Sequence, residues 1–168
     1  MKSGRLFLYH VLSLFIPETR GFGLKAALLR WCGAVVGTNV RINSSVRFVG
    51  TGRLVVGDDV WLGYGVYLSP VGDAQIEIGA HCDLAPQAMV LTGSHELDPA
   101  GEHVAGKGTA ASVSIGAGSW LGARCVVLPG VDLPPKTVVA AGAVVTQAPG
   151  QEKTVLAGVP AVAKKVLD

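Results

Sequence analysis

Apolar side chains recur at every sixth position along most of this chain. The regular positions form five groups of three, and all fifteen are apolar: Val36, Ile42 and Phe48; Val56, Leu62 and Leu68; Ile78, Leu84 and Val90; Ile115, Leu121 and Val127; Leu133, Val139 and Val145. Residues four places further on are small or short and branched, as at Val40, Cys82 and Ala143. A fixed period of six residues predicts a β-helix, in which three hexads make one triangular coil.

The period is interrupted at a single phase. The steps that follow Phe48, Leu68 and Val90 exceed six residues by two, four and nineteen residues. Because each of these positions ends a group of three, we expect all the insertions to leave the prism at one corner. The longest begins beside the sequence Thr92-Gly93-Ser94-His95. A loop of that length is usually functional or disordered.

The repeat divides the chain into three predicted parts within one domain. Residues 36–150 form the β-helix, with an inserted loop at 93–112, and residues 151–168 form a C-terminal strand or tail. Residues 1–35 are expected to be a helical cap over the open end of the solenoid, since exposed sheet ends need covering. Within the cap, Leu24, Leu28 and Leu29 show helical spacing, with Lys25 and Arg30 on the opposite side.

The first segment of the cap allows a second interpretation. Residues 6–16 are nearly all apolar but too few to span a bilayer, which takes about 20 residues, and they lack a small-residue cleavage site. Peripheral contact with a membrane through residues 1–17 therefore stays open beside the cap. An apolar segment that follows Lys2 and Arg5 would suit the headgroup layer.

Charge and cysteine content narrow the function classes. The net charge is +2 and no basic run is present, which argues against a nucleic-acid partner. Cys32, Cys82 and Cys125 show no CxxC spacing, so zinc or redox chemistry is not expected. An odd number of cysteines, two of them at the small position of a hexad, indicates free buried thiols and a reducing, cytoplasmic location.

A set of motifs in fixed order carries a family resemblance. These motifs are Leu84-Ala-Pro-Gln-Ala-Met-Val-Leu-Thr-Gly-Ser-His95, Ile115-Gly-Ala-Gly-Ser-Trp120-Leu-Gly-Ala, Val127-Leu-Pro-Gly-Val131, Ala141-Gly-Ala-Val-Val-Thr146 and Leu156-Ala-Gly-Val-Pro-Ala161. Over about residues 22–167 the chain resembles the hexapeptide-repeat O-acetyltransferases of the galactoside, maltose and nodulation-factor type, especially the branch that modifies colanic acid and other surface polysaccharides.

The resemblance adds fold, assembly and chemistry to the repeat. It implies an all-β fold, a left-handed parallel β-helix of about five coils with short N-terminal helical segments. It also implies a homotrimer with active sites in the clefts between neighbouring prisms. Each cleft would bind acetyl-CoA and a saccharide acceptor, and no metal. The expected reaction is acetyl transfer to a sugar hydroxyl in the cytoplasm, either in solution or at the inner face of the membrane.

His95 is the candidate catalytic residue. An alcohol is a poor nucleophile at neutral pH, so its proton must be removed as it attacks the thioester. A histidine, with an ordinary pKa of about 6.5, suits that task. By its place in the motif His95 matches the family's general base, whereas His10, His81 and His103 lack this context. An orienting partner of His95 is left open between acidic neighbours and a main-chain carbonyl.

Three residues are candidates for substrate binding: Asp73, Gly63 and Glu96. Asp73 and Asp132 lie five residues after a group-ending position, as His95 does, so Asp73 is expected one coil away from the imidazole. Asp73 also matches a family carboxylate that holds the acceptor sugar, while Asp132 is expected to be a solvated turn residue. Gly63 stands where maltose-type enzymes carry an asparagine, and it can offer only a backbone N–H. Glu96 adjoins the base.

Candidate cofactor-binding residues follow from the resemblance along the later coils. Trp120 matches the tryptophan beside the cofactor's arm, and Ala123 and Ala141 match small positions where the backbone meets the pantetheine. Thr146 and Gln147 match a Thr-Lys pair that meets phosphates. The lysine of that pair is absent, which leaves Lys165, and beside it Lys164, as cationic candidates.

Three rival functions are conceivable on the same fold. A γ-class carbonic anhydrase needs three histidines converging on zinc, and the spacing of His81, His95 and His103 lacks the close pair expected there. An N-acetyltransferase acting on an amino nucleotide sugar is the nearer alternative, because an amine acceptor also needs a base. A scaffold without catalysis would not bind acetyl-CoA.

Overall fold

The protein is described by a computed structural model covering residues 1–168. Two helices come first, α1 (Ser3–Ser13) and α2 (Phe22–Trp31). Three coils follow: β1 (Val35–Val36), β2 (Arg41–Ile42) and β3 (Arg47–Phe48); β4 (Arg53–Val56), β5 (Trp61–Leu62) and β6 (Tyr67–Ser69); β7 (Gln75–Ile78), β8 (Asp83–Leu84) and β9 (Met89–Leu91).

An interruption separates these coils from the rest of the chain. It consists of β10 (Gly93–Leu97) and β11 (Ala105–Ala110). The remaining strands are β12 (Val113–Ile115), β13 (Trp120–Leu121) and β14 (Val126–Val127); β15 (Asp132–Leu133), β16 (Val138–Val139) and β17 (Val144–Val145); and finally β18 (Thr154–Gly158) and β19 (Ala161–Val166).

Each coil contributes one strand to each of three sheets. Sheet A has the order β1-β4-β7-β12-β15, sheet B the order β2-β5-β8-β13-β16-β18-β19, and sheet C the order β3-β6-β9-β14-β17. Within the five coils all pairing is parallel, and equivalent hexad positions align, as in Leu62 with Leu84 and Leu84 with Leu121. The predicted all-β fold, a left-handed parallel β-helix of about five coils, is confirmed.

The core of the prism is built from the regular positions of the repeat. All fifteen of them are buried, and so are the small residues four places on, such as Cys82 and Ser119. Successive side chains of a strand point to opposite faces, so each inward anchor has an outward neighbour. Replacing a fully buried anchor such as Leu121 by alanine is expected to cost about 2–5 kcal/mol.

The three corners of the prism differ in length. The A–B corner and the B–C corner, named after the sheets that they join, take four residues at each of the five levels. At the C–A corner the chain takes four, five, twenty-one and four residues between successive coils. The prediction that all insertions leave at one corner is confirmed.

The two helices lie over the first coil. Leu6, Tyr9 and Ser13 of α1 are buried, and the Tyr9 ring meets Phe48 edge-on, with 5.4 Å between the centroids. Helix α2 lies against β1 and β2. Neither helix has the length and apolar character needed to cross a bilayer.

Lys25 corrects one prediction about α2. Instead of facing solvent it is fully buried, while Leu24 is exposed. Its Nζ donates to the Glu18 carbonyl at 2.9 Å and to the Ser44 hydroxyl at 3.1 Å, and it lies 5.0 Å from the centre of the Phe22 ring. Burial lowers the pKa of Lys25. These oxygens compensate the buried amine, and because they come from other segments, helical periodicity alone could not reveal them.

Candidate active site

The inserted segment is a β-hairpin and not an irregular loop. Strands β10 and β11 pair antiparallel, with Ser94 opposite Thr109 and His95 opposite Gly108. The register shifts between His95 and Leu97, which marks a bulge. Bulges change the direction of groups along a strand and are frequent beside active sites.

Thr92 fixes the root of the hairpin on the prism. It is fully buried, and its hydroxyl donates to the Ser69 carbonyl at 3.1 Å and accepts the Val71 N–H at 2.8 Å. Its own carbonyl accepts the N–H of Ala111 at 2.8 Å. Both strands of the hairpin are therefore held by one side chain and its backbone.

His95 is exposed on β10, and its ring is oriented by the main chain. Its Nδ1 lies 2.9 Å from the carbonyl oxygen of Gly106 on β11. A carbonyl can only accept, so in the neutral imidazole Nδ1 carries the proton and Nε2 carries the lone pair. Of the orienting partners left open by the sequence, the structure shows the main-chain carbonyl.

A cleft of about 500 Å³ opens at His95. Its wall is formed by both hairpin strands and by the second-coil turn of the same corner: Val71, Gly72, Gly93, Ser94, His95, Gly108, Thr109 and Ala110. Glycine at position 93 allows the strand to approach Val71, because an added Cβ would lie 3.3 Å from its Cγ2. The cleft is large enough for a monosaccharide-sized group.

The two predicted acidic neighbours of His95 do not line this cleft. Asp73 is exposed and follows Gly72, which does line it. Glu96 is exposed on β10 and follows His95 directly, at the bulge of the strand. Asp73 and His95 thus share the C–A corner, but Asp73 is not part of the cleft at His95.

Asp132 was expected to be a solvated turn residue; it is exposed, but the expectation of a turn is wrong. It lies in β15 on sheet A, opposite Ser114 of β12, and accepts a hydrogen bond from the Ser114 hydroxyl. The step from Val127 to Leu133 contains no insertion, so the fifth residue after Val127 already belongs to the next strand.

Gly63 lies at the B–C corner, away from the hairpin. Its N–H donates to the Leu84 carbonyl at 2.9 Å, as part of the ladder between the second and third coils. An added Cβ would lie 2.8 Å from the same oxygen. The backbone N–H of Gly63 is therefore engaged within the prism, and the residue stands on the wall that carries Ala123 and Ala141.

Ala123 and Ala141 occupy the B–C corner in the fourth and fifth coils. The Gly142 N–H donates to the Ala123 carbonyl at 2.9 Å, so the two levels are in direct contact. Ala141 is exposed and Ala123 is half-buried. Arg124 stands on the same corner, where its Nε donates to Gln87 Oε1 at 2.7 Å.

The other predicted cofactor residues lie on two further surfaces. Trp120 is exposed on sheet B, and the strand register runs from Trp120 through Val138 and Val155 to Lys165 on β19. Three ladder steps separate Trp120 from Lys165, about 14 Å. Thr146 and Gln147 follow β17 and are exposed at the C–A corner.

His10, His81 and the cysteines lie apart from the hairpin, whereas His103 is exposed in the connection between its two strands. His81 is at the A–B corner, with Nδ1 3.2 Å from Asp59 Oδ2, and His10 Nε2 is 3.1 Å from the Phe48 carbonyl oxygen. Burial raises the pKa of Cys125 to about 12 and also raises that of Cys82. Both are therefore neutral core thiols at physiological pH.

Comparison with known proteins agrees with this architecture. The family model for the hexapeptide repeat of succinyl-transferase matches residues 112–147. A protein assigned as the colanic acid biosynthesis acetyltransferase WcaF of Escherichia coli (strain K12) is 38% identical over 117 residues, which are 70% of this chain and 61% of that protein.

Two further proteins match over other shares of the chain. Galactoside O-acetyltransferase of Lactococcus lactis is 34% identical over 95 residues, 54% of this chain and 45% of that protein. The structure of a hexapeptide-repeat acetyltransferase from Vibrio cholerae, complexed with acetyl coenzyme A, superposes with a TM-score of 0.75 at 25% identity, over 98% of this chain and 88% of that one. These similarities to hexapeptide-repeat proteins agree with the repeat seen in the sequence and with the coiled fold. It spans less than two thirds of the length of the two sequence relatives.

Sequence reasoning missed three residues that shape the site. Gly106 supplies the carbonyl for His95, Thr92 anchors the hairpin, and Arg124 adds a cation to the wall of small residues. The only indication in the sequence was the pair Gly106 and Gly108 in a segment outside the repeat, since isolated glycines in a strand suggest a bulge or a close approach of the backbone. Arg124 was overlooked because a cation was sought only beside Thr146 and near the C-terminus.

Proposed function

We propose that the chain is an acetyl-CoA-dependent O-acetyltransferase that acetylates a sugar hydroxyl in surface polysaccharide biosynthesis, with His95 as general base. The observation that carries the proposal is the imidazole in the hairpin cleft, with Nδ1 bonded to the Gly106 carbonyl and Nε2 free. The similarity to the galactoside O-acetyltransferase supports oxygen as the acceptor atom. The similarity to WcaF supports the polysaccharide context.

The reaction uses the proton balance of a neutral imidazole. Nε2 of His95 takes the proton of the acceptor hydroxyl as its oxygen attacks the thioester carbonyl. The tetrahedral intermediate then collapses, the C–S bond breaks, and the imidazolium returns the proton to the leaving thiolate. The Gly106 carbonyl stabilises the imidazolium, because Nδ1–H donates more strongly when the ring is charged.

Acetyl-CoA binds along the wall of small residues at the B–C corner. Ala123 and Ala141 leave the backbone accessible to the pantetheine arm, and the exposed Trp120 ring offers it an apolar surface. Arg124 and Lys165 provide cations for its phosphates, and Thr146 and Gln147 provide polar contacts. Asp73 holds the acceptor at the hairpin corner. Gly63 serves as a small position on the wall, and Glu96 is a weak substrate candidate because it is exposed and does not line the cleft.

The complete site requires a second copy of the chain. The cleft at His95 contains none of the predicted cofactor residues, because Ala123 and Ala141 lie at a different corner of the same prism. A neighbouring prism that presents its B–C corner to the hairpin of the first would unite base and cofactor. A homotrimer of this arrangement forms three equivalent sites.

Product analysis tests the proposal. Purified protein is incubated with acetyl-CoA and with matched acceptors, a glycoside and an amino nucleotide sugar, and the release of CoA thiol is followed. We expect release with the hydroxyl acceptor and a product that hydroxylamine cleaves, as it does an ester. A hydroxylamine-stable amide formed only on the amino sugar would establish the N-acetyltransferase alternative instead. Absence of acetyl-CoA binding would contradict both and favour a scaffold.

A further inference from the structure

From Phe7 to its end, the exposed side of α1 is apolar. Residues 6–17 contain no Lys, Arg, Asp or Glu. The buried side of the helix rests on the first coil through Leu6, Tyr9 and Ser13. The other side, with the turn that follows, exposes large apolar side chains, which we call the end patch: Phe7 (68% exposed), Leu8 (47%), Leu12 (46%), Leu14 (70%) and Phe15 (83%).

The end patch extends from α1 into the turn after it. Phe7, Leu8 and Leu12 lie on α1, and Leu14 and Phe15 lie in the turn that follows directly, where Leu14 still has right-handed helical backbone angles. The cap over the solenoid uses only the opposite side, so capping does not account for the patch. Trp31 of α2 adds an exposed ring beside it, stacked under the Arg5 guanidinium at 4.8 Å.

Positive charge is concentrated in the part of the chain that carries the end patch. Residues 1–57 hold eight Lys or Arg and a single acid, Glu18, whereas residues 58–168 hold six Lys or Arg and eleven Asp or Glu. The formal charge of residues 1–57 is thus +7, and that of residues 58–168 is −5. Together they give the formal net charge of +2. Lys2, Arg20 and Arg53 are exposed within the positive region. The end that carries the patch is therefore the cationic end of the molecule.

We propose that this end docks on an anionic lipid bilayer, with α1 lying in the headgroup layer. Phe and Leu side chains enter the acyl boundary, the cations meet lipid phosphates, and the Trp31 ring lies at the interface. The negative remainder of the prism is repelled by the same surface, which orients the hairpin away from it. A second copy meeting the first end to end is disfavoured, because two regions of charge +7 would face each other.

Vesicle flotation of the full-length protein tests this proposal. The probes are vesicles of phosphatidylglycerol with phosphatidylcholine and vesicles of phosphatidylcholine alone. We expect binding to the anionic vesicles, weaker binding to the neutral ones, and a decrease at high salt. The double variant Phe7→Ser, Phe15→Ser should lower the partition coefficient about tenfold or more. Its matched control, Leu97→Ser with Val104→Ser, changes two apolar residues of comparable exposure, 82% and 61%, in the hairpin segment, and should bind as the parent does.

Three outcomes would overturn the proposal. One is the absence of the parent protein from floated anionic vesicles. Another is equal loss of binding in the patch variant and the hairpin control. The third is light scattering in which the patch variant divides an assembly that the control preserves, since the patch would then join copies of the chain. Thermal unfolding of both double variants verifies that they fold, as expected for exposed positions. None of these measurements depends on transferase activity.

Discussion

The B–C corner and the C–A corner of the prism are built by the same repeat, but they differ in the number of residues that connect one strand to the next. At the B–C corner every coil takes four residues, and small residues stack level on level as at Ala123 and Ala141. At the C–A corner the number of residues rises to five and then to twenty-one. One corner is a straight wall, and the other carries a hairpin with a histidine.

The difference shows where the fold tolerates new structure. The anchors on either side of the long insertion, Val90 and Ile115, are both buried, and their strands pair with neighbours in normal register. The hairpin therefore leaves the core undisturbed. In the proposed enzyme the regular corner binds the constant cofactor, and the irregular corner chooses the acceptor.

Loss of the base would separate the roles of the two corners most strongly. His95→Ala is expected to lower kcat about 10²–10⁴-fold, while acetyl-CoA binding at the regular corner is retained. His103→Ala, an exposed histidine of the same insertion, is the matched control and should leave kcat unchanged. Steady-state kinetics and calorimetric binding of acetyl-CoA measure the two effects. Near-normal turnover by His95→Ala would remove this histidine from the mechanism.

A smaller change within the hairpin would test the orientation of the base. A Cβ added at Gly106 would lie 2.9 Å from Asp98 Cβ and 3.2 Å from the Glu96 carbonyl oxygen, whereas one added at Gly108 meets nothing within 4 Å. We expect Gly106→Ala to shift the carbonyl that holds His95 and to lower kcat about 10–100-fold, because misplacement by about 1 Å can cost that much. Gly108→Ala should have little effect, and equal losses in both variants would contradict this role of Gly106.

The junction between prism and hairpin can be weakened at Thr92, which does not line the His95 cleft. Thr92→Val removes the hydroxyl that joins Ser69 and Val71 and is expected to lower the free energy of unfolding by about 1–3 kcal/mol. Thr109→Val, at an exposed position of β11, should leave it nearly unchanged. Urea unfolding followed by circular dichroism provides both values. A neutral Thr92→Val would show that the hairpin is held by other contacts.

The regular corner can be tested with two alanines at the same place in the hexad. Ala123→Leu places a larger side chain on the proposed cofactor wall and should raise the KM for acetyl-CoA about tenfold. Ala117→Leu makes the same change at the A–B corner, where the side chain is also accessible, and should leave KM unchanged. If only Ala117→Leu raised the KM for acetyl-CoA, the result would instead indicate that the cofactor binds at the A–B corner.

Sequence alone predicted most of the prism, because its core obeys a strict local rule. Each of the fifteen regular positions is buried, and the single corner of insertion followed from the steps after Phe48, Leu68 and Val90. The handedness came from the family resemblance, since the period of six is compatible with either hand. Local periodicity thus determines what points inward, and this property decides the fold of a solenoid.

Features that depend on contacts between distant segments escaped prediction. Lys25 is buried because Glu18 and Ser44 supply oxygens to it, and a helical pattern contains no such information. The hairpin pairing of β10 with β11 lies outside the repeat, so the partner of His95 could be left only as one of several alternatives. Counting along the repeat also gave a wrong position for Asp132. No insertion follows Val127, so the fifth residue after it lies in the next strand and not in a turn.

Strand β19 covers the open edge of sheet B. A stack of parallel coils presents open strand edges spaced about 4.8 Å apart, the geometry by which cross-β fibrils grow by adding further chains. On sheet B this edge is occupied by β19, which runs antiparallel to β18 and exposes Lys164 and Lys165. A reversed strand bearing neighbouring positive charges is a poor template for another coil. Strand β19 thus leaves sheet B without a parallel edge on which another coil could be added.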